Sequence, residues 1–128
     1  MTDDTPLIPV SWGELADKIS ILEIKRERLR APDAVANVMR ELAALMRVLE
    51  PVGPGIATER AALAAVNTRL WEIEDAIREK EAALDFGPDF VALARSVYRE
   101  NDARGRVKAA INRRLGSALV EEKQYAQY

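Results

Sequence analysis

Apolar residues recur along this chain every three or four positions, and several of them every seven. Leu15, Leu22 and Leu29 form one series, Val35, Leu42 and Leu49 a second, and Leu63, Leu70, Ile77 and Leu84 a third. Three-and-four spacing is what one face of an α-helix needs in order to be buried. A seven-residue repeat keeps that stripe against a partner helix at a shallow crossing angle. No stretch alternates apolar and polar residues as a half-buried strand does. Breaks come from Pro9, Pro32, the run from Pro51 to Gly55, and Asp85-Phe-Gly-Pro88, which are turn chemistry. Short connections favour antiparallel neighbours. The expected fold class is all-α: an antiparallel up-and-down helical bundle of four helices with heptad-like seams. It becomes five helices if Asn101-Asp102 caps another one. The expectation is a single domain over 1–128, with 1–9 as a flexible N-terminal segment.

Local signals place the helix ends. Ser11 and Glu14 form a capping box for a first helix with the seam Trp12, Leu15, Ile19, Leu22 and Leu29. Asp33 is the expected cap of the second, and the third starts near Thr58. The fourth starts near Pro88, whose missing N–H is not needed in a first turn. Phe90, Val97, Arg104, Ile111, Ala118 and Tyr125 keep the seven-residue step, so one long helix from about 88 to beyond 120 is expected despite Gly105. Ile21 and Ile24 fall off the main seam of the first helix. A helix apolar on two sides is either central or covered by another subunit, which is the ground for expecting a homo-oligomer.

Composition narrows the chemistry. Hydrophobic residues make up 48% and charged ones 31%, enough apolar surface to build a core instead of a disordered chain. The chain has no cysteine and no histidine. That excludes disulfides, thiolate sites, histidine metal ligands and His-assisted nucleophilic catalysis. The first residues are acidic and lack the layout of a signal peptide, and no apolar run reaches the ~20 residues a membrane span needs. A cytoplasmic protein is expected, with no membrane partner. Net charge is −2, yet residues 95–114 hold seven basic side chains against two acidic, which leaves the remainder at −7. A basic segment on an acidic chain points to an anionic partner, the rest of the chain included. Nucleic acid is disfavoured, because Tyr98 is the only aromatic in that segment. Gly53 and Gly55 sit in a proline-bearing turn with no lysine after them, so they do not make a phosphate-cradling loop.

Two clusters remain as candidates. In the third helix Glu72 and Asp75 have the spacing of paired carboxylate ligands, but on a helical wheel they fall opposite the apolar seam, on a solvated face. Glu74 borders the seam with Asn67, Trp71, Arg78 and Glu81. In the fourth helix Arg104 and Arg114 fall in the apolar sector, and a buried arginine needs an anionic partner. Glu74 and Glu81 are the expected partners across the bundle, forming an ion-pair layer or a polar pocket for an anion or a sugar ring laid on Trp71. The candidate ligand-binding residues are Trp71, Glu74, Arg78, Arg95, Tyr98, Arg99 and Arg104. No catalytic residue is assigned.

The phrases PVSWGELADKISILEIK (9–25), VNTRLWEIEDAIREKE (66–81) and ARSVYRENDARGRVKAAINRRLGSALVEEKQY (94–125) together resemble a family of small bacterial proteins of unknown function. That resemblance implies a single domain of this length and assigns no activity or cofactor. Glu72-x-x-Asp75 is also similar to one half of the site with which all-helical nucleoside triphosphate pyrophosphohydrolases hold magnesium. The alternative it implies is a Mg2+-dependent nucleotide hydrolase using Glu72 and Asp75. The second acidic half of that site is missing, Glu14 and Asp17 being the nearest approach. The leading expectation is therefore a non-catalytic helical protein without cofactor. It would self-associate and bind a protein partner or a small anionic ligand through its basic stretch. A structural accessory subunit of a larger complex is the third reading.

Overall fold

The computed structural model describes residues 4–128. Four α-helices follow one another: α1 (Trp12–Arg28), α2 (Pro32–Leu49), α3 (Ala57–Ala82) and α4 (Pro88–Leu115). A 3-10 turn (Gly53–Ile56) leads into α3. Among the described residues there is no strand, as the periodicity requires. The expected flexible segment 1–9 begins outside the described residues. From residue 4 to residue 10 the chain is exposed and carries no regular element.

Cross-helix contacts give the topology. In α3, residues Glu59, Asn67, Arg69 and Lys80 stand opposite Arg114, Arg104, Glu100 and Asp89 of α4, which is an antiparallel hairpin. Gly13 and Asp17 of α1 meet Asn112 and Lys108 of α4, so α1 runs against α4 and alongside α3. Lys18 meets Glu41, and α2 returns along the far side of α1. The order is up, down, up, down. Helix α1 is the centre of this arrangement, touching α2, α3 and α4.

The two apolar faces of α1 are thus both used within one chain. Leu15, Leu22, Val38, Leu42 and Leu49 join in one core with Ile19, Ile56, Leu63 and Ile111. Of the off-seam isoleucines, Ile24 is buried within the chain and Ile21 is half-buried. In α3 the buried residues are Leu63, Val66 and Asn67, and in α4 they are Lys108, Ile111 and Asn112. All belong to the half of the hairpin that α1 covers. At about 1.5 Å per residue α3 and α4 are roughly 40 Å long and α1 roughly 25 Å. The far half therefore projects as a two-helix arm, capped by an exposed tip with Leu84, Phe86 and Val91.

Helix ends follow the sequence in part. Ser11 accepts from the Glu14 amide at 3.1 Å, but the Glu14 carboxylate turns to Lys108 instead of returning to the cap. The cap of α2 is Ala31, with Pro32 in the first turn and Asp33 inside the helix, because proline at that position already fixes the entry angle. Helix α4 passes through Asn101-Asp102 without a break, so no fifth helix starts there. It does not continue beyond 120. Gly116 takes a left-handed φ of 61°, and the amides of Gly116 and Ser117 bond back to the carbonyls of Arg113 and Asn112 at 3.3 and 2.8 Å. This pair of bonds ends a helix. Ala118 and Tyr125 are then exposed in a non-helical segment, off the seam on which the seven-residue count put them.

Candidate functional site

Where α1 crosses the α3/α4 hairpin, its contact face reads Gly13, Asp17, Ser20 and Ile24, one residue per turn. Small and polar side chains there leave room for a buried polar network. Asp17, Ser20, Asn67, Lys108 and Asn112 are all buried. Asn67 donates to Asp17 at 2.9 Å and to Ser20 at 3.2 Å, and its carbonyl oxygen accepts from Arg104 at 3.3 Å. Asn112 accepts from the Gly13 amide at 2.7 Å. Lys108 lies within reach of three carboxylates: Glu121 at 2.7 Å, Glu14 at 2.8 Å and Asp17 at 3.9 Å. Burial pulls the Lys108 pKa down, but the hydrogen bonds it donates to Glu121 and Glu14, with the charges of Glu14 and Asp17, outweigh it, and the ammonium is held above its ordinary 10.5. The same contact draws the Glu121 carboxyl below its ordinary 4.5.

Arg104 is the exception in this network. Its guanidinium is half-buried and donates to two neutral amides, Asn67 at 3.3 Å and Asn101 at 2.9 Å. Its Nε is sealed from solvent without an acceptor. No carboxylate pairs with it among the described residues. The expected layer with Glu74 and Glu81 is therefore corrected. The hairpin register puts Asn67 opposite Arg104, and Glu74 lies about two turns further along α3, where it pairs with Arg78 of its own helix at 3.5 Å. Glu81 is exposed, nearer the arm's tip. Arg114, also expected to be buried, is 59% exposed and bonds Glu59 at 3.1 Å.

Arg104 opens into a groove of about 540 Å³ between α1 and the hairpin. Ile21, Ile24, Leu70 and Val97 give it an apolar floor, Trp71 stands in it, and Glu74, Asp75 and Arg78 lie along one side. Four of the seven residues expected to bind a ligand, Trp71, Glu74, Arg78 and Arg104, are thus brought together. The others are not in this groove. Arg95 and Arg99 are exposed on α4, and Tyr98 packs its ring 4.8 Å from that of Tyr128 on another face. Glu72 and Asp75 part company: Glu72 turns to Arg28 at 3.4 Å, while Asp75 lines the groove. Among the described residues, no group of three or more acidic side chains could hold a metal ion together.

Sequence reasoning passed over Asp17, Asn67 and Lys108 as a unit. The available signal was the polar pair Asp17 and Ser20 on a helix otherwise apolar on both faces. No helix is long and apolar enough to cross a membrane among the described residues.

Residues 7–128 match a family described as a family of unknown function, DUF6165. Comparison with curated proteins and with solved structures finds no match. The chain belongs to that family of unknown function.

Proposed function

For this family member we propose a non-catalytic, cytoplasmic binding protein that takes a small anionic ligand in the groove at Arg104. The observation that carries this reading is the guanidinium itself. A half-buried cation held by two neutral amides, with no carboxylate paired to it among the described residues, is costly unless an anion completes it. Arginine binds phosphate and carboxylate through paired N–H groups. The groove volume of about 540 Å³ is in the range of small-molecule sites. Trp71 offers a face for a ring. Glu74 and Asp75 also line the groove and suit hydroxyl donors, which favours a ligand with one small acidic group over a polyanion. A hexose phosphate has this chemistry.

Titration calorimetry with a hexose phosphate tests the reading. Binding should be lost in Arg104→Met and weakened at least tenfold in Trp71→Ala. No heat with the native chain, or unchanged affinity in Arg104→Met, refutes it.

Self-association or a place within a larger complex is a second reading, favoured by the projecting arm. Leu84, Phe86 and Val91 are 76%, 52% and 51% exposed at its tip, where no third helix covers them. Light scattering should find an oligomer that Leu84→Ser with Phe86→Ser disperses, and a monomer at high concentration refutes self-association.

A further inference from the structure

After Gly116 the chain reverses and runs as a strap along the outer face of α4. The Ser117 amide makes the last backbone bond to the helix. Beyond it the strap is attached by side chains. Glu121 sits on Lys108 at 2.7 Å, and Lys123 passes over the flat surface left by Gly105, where a Cβ would meet its Nζ at 3.5 Å. The Tyr128 hydroxyl donates to Asp102 at 2.7 Å while its ring packs on Tyr98. Residues 118–128 are all exposed. Side-chain contacts of this kind, open to water, hold a segment loosely.

Between strap and helix lies a cavity of about 1100 Å³, twice the size of the groove at Trp71. Its charged lining is Arg104, Arg106, Lys108 and Lys123 against Asp102 and Glu121, and its rings are Tyr98, Tyr125 and Tyr128. Lys108 is already met by Glu14 and Asp17 from α1. Arg106, by contrast, is exposed and has no carboxylate within ion-pair distance among the described residues. The outer face of α4 thus combines a free guanidinium with Tyr98, under a loosely held segment that brings Tyr128 against it.

We propose that this cavity is a second binding site, for an anion that carries a flat ring, and that residues 117–128 are its lid. The acidic group pairs with Arg106 and the ring lies against Tyr98 and Tyr128, so the closed lid is ordered by its occupant. A nucleoside monophosphate has this chemistry. The site goes beyond the groove reading, and its key residues, Arg106 and Tyr128, are not in the groove.

The test titrates the full chain with adenosine monophosphate and with inorganic phosphate, by calorimetry and by hydrogen exchange of residues 117–128. The nucleotide should bind, slow exchange in the strap severalfold, and bind at least tenfold more tightly than phosphate. Arg106→Gln, an exposed change that leaves the fold intact, should cost at least tenfold in affinity. Tyr128→Ala should cost several-fold, and Trp71→Ala should leave binding unchanged. Absence of nucleotide binding, an unaltered exchange pattern in 117–128, phosphate binding as tightly as nucleotide, or an indifferent Arg106→Gln variant each overturns the proposal. Loss of binding in Trp71→Ala also overturns it, by placing the nucleotide in the groove.

Discussion

Gly13→Ala sets two effects of opposite sign against each other. Gly13 is in the first turn of α1, where it is packed against α4. A Cβ built on it would lie 2.5 Å from the Lys108 carbonyl oxygen and 3.0 Å from Asn112 Oδ1. Carbon–oxygen contacts settle near 3.3 Å, so the helices would have to part by about 0.8 Å. The closest obstacle is backbone and cannot swing aside. A gap of that size forfeits a quarter to a half of the dispersion energy of the contacts it opens, and overpacking of this kind costs about 1–3 kcal/mol. It also strains the 2.7 Å bond from the Gly13 amide to Asn112, worth about 0.5–1.5 kcal/mol. Against this, alanine is favoured over glycine within a helix by at most about 1 kcal/mol. The net expectation is destabilisation by about 1–3 kcal/mol, a fall in melting temperature of roughly 4–12 °C for a chain of this length. Thermal and urea unfolding measure it. Gly55→Ala is the control, since nothing lies within 4 Å of a Cβ there, and it should change stability by less than about 0.5 kcal/mol. A Gly13→Ala chain as stable as the native one, with the control unchanged, refutes the close approach of α1 and α4.

Lys108→Met leaves Glu14, Asp17 and Glu121 facing one another without their cation. Breaking a pair of this kind costs about 3–5 kcal/mol when fully buried, and with one side open to the strap about 2–4 kcal/mol is expected in urea unfolding. Strap attachment should depend on acid. Glu121 titrates lower in the folded chain than its ordinary 4.5, so its stabilising contribution is complete above that value and is lost as pH falls through the lowered one. Lys108, raised above 10.5, contributes fully below that pH and loses its contribution as pH rises through the folded value. Resonance shifts of residues 118–128 should follow the acid transition, and Glu121→Gln should flatten it; an unchanged titration in that variant would remove the latch. Exchanging Asp17→Asn with Asn67→Asp keeps one hydrogen bond between the positions but moves the carboxylate next to Arg104. The double variant should fold, by circular dichroism, and lose hexose phosphate affinity at least tenfold; undiminished affinity would mean that the open charge of Arg104 is not the anchor.

The helices and their order were legible because they depend on local spacing. Leu15, Leu22, Leu42, Leu49 and Leu63, all on the expected seams, are buried, and Ser11 caps α1 as its spacing from Glu14 implies. The end of α4 was not legible from the apolar repeat, since a seven-residue count runs on through any sequence that happens to supply Ala118 and Tyr125. What stops the helix is the backbone at Gly116, and the strap that follows carries its own contacts to Lys108 and Asp102.

Which charges meet across the bundle depends on axial register, and a helical wheel discards that coordinate. A wheel sets Arg104, Asn67 and Glu74 in or beside the apolar sector, yet it cannot tell that Glu74 is exposed two turns from the arginine while Asn67 stands beside it. At about 1.5 Å per residue, that difference is roughly 10 Å, the distance between a neutralised ion pair and a cation left open to a groove. A slide of α3 by two turns would bring Glu74 level with Arg104, but it would also withdraw Asn67 from Asp17 and Leu63 from the core around Ile19 and Ile111. The apolar contacts at the base of the hairpin hold the register, and the open arginine follows from the register they hold.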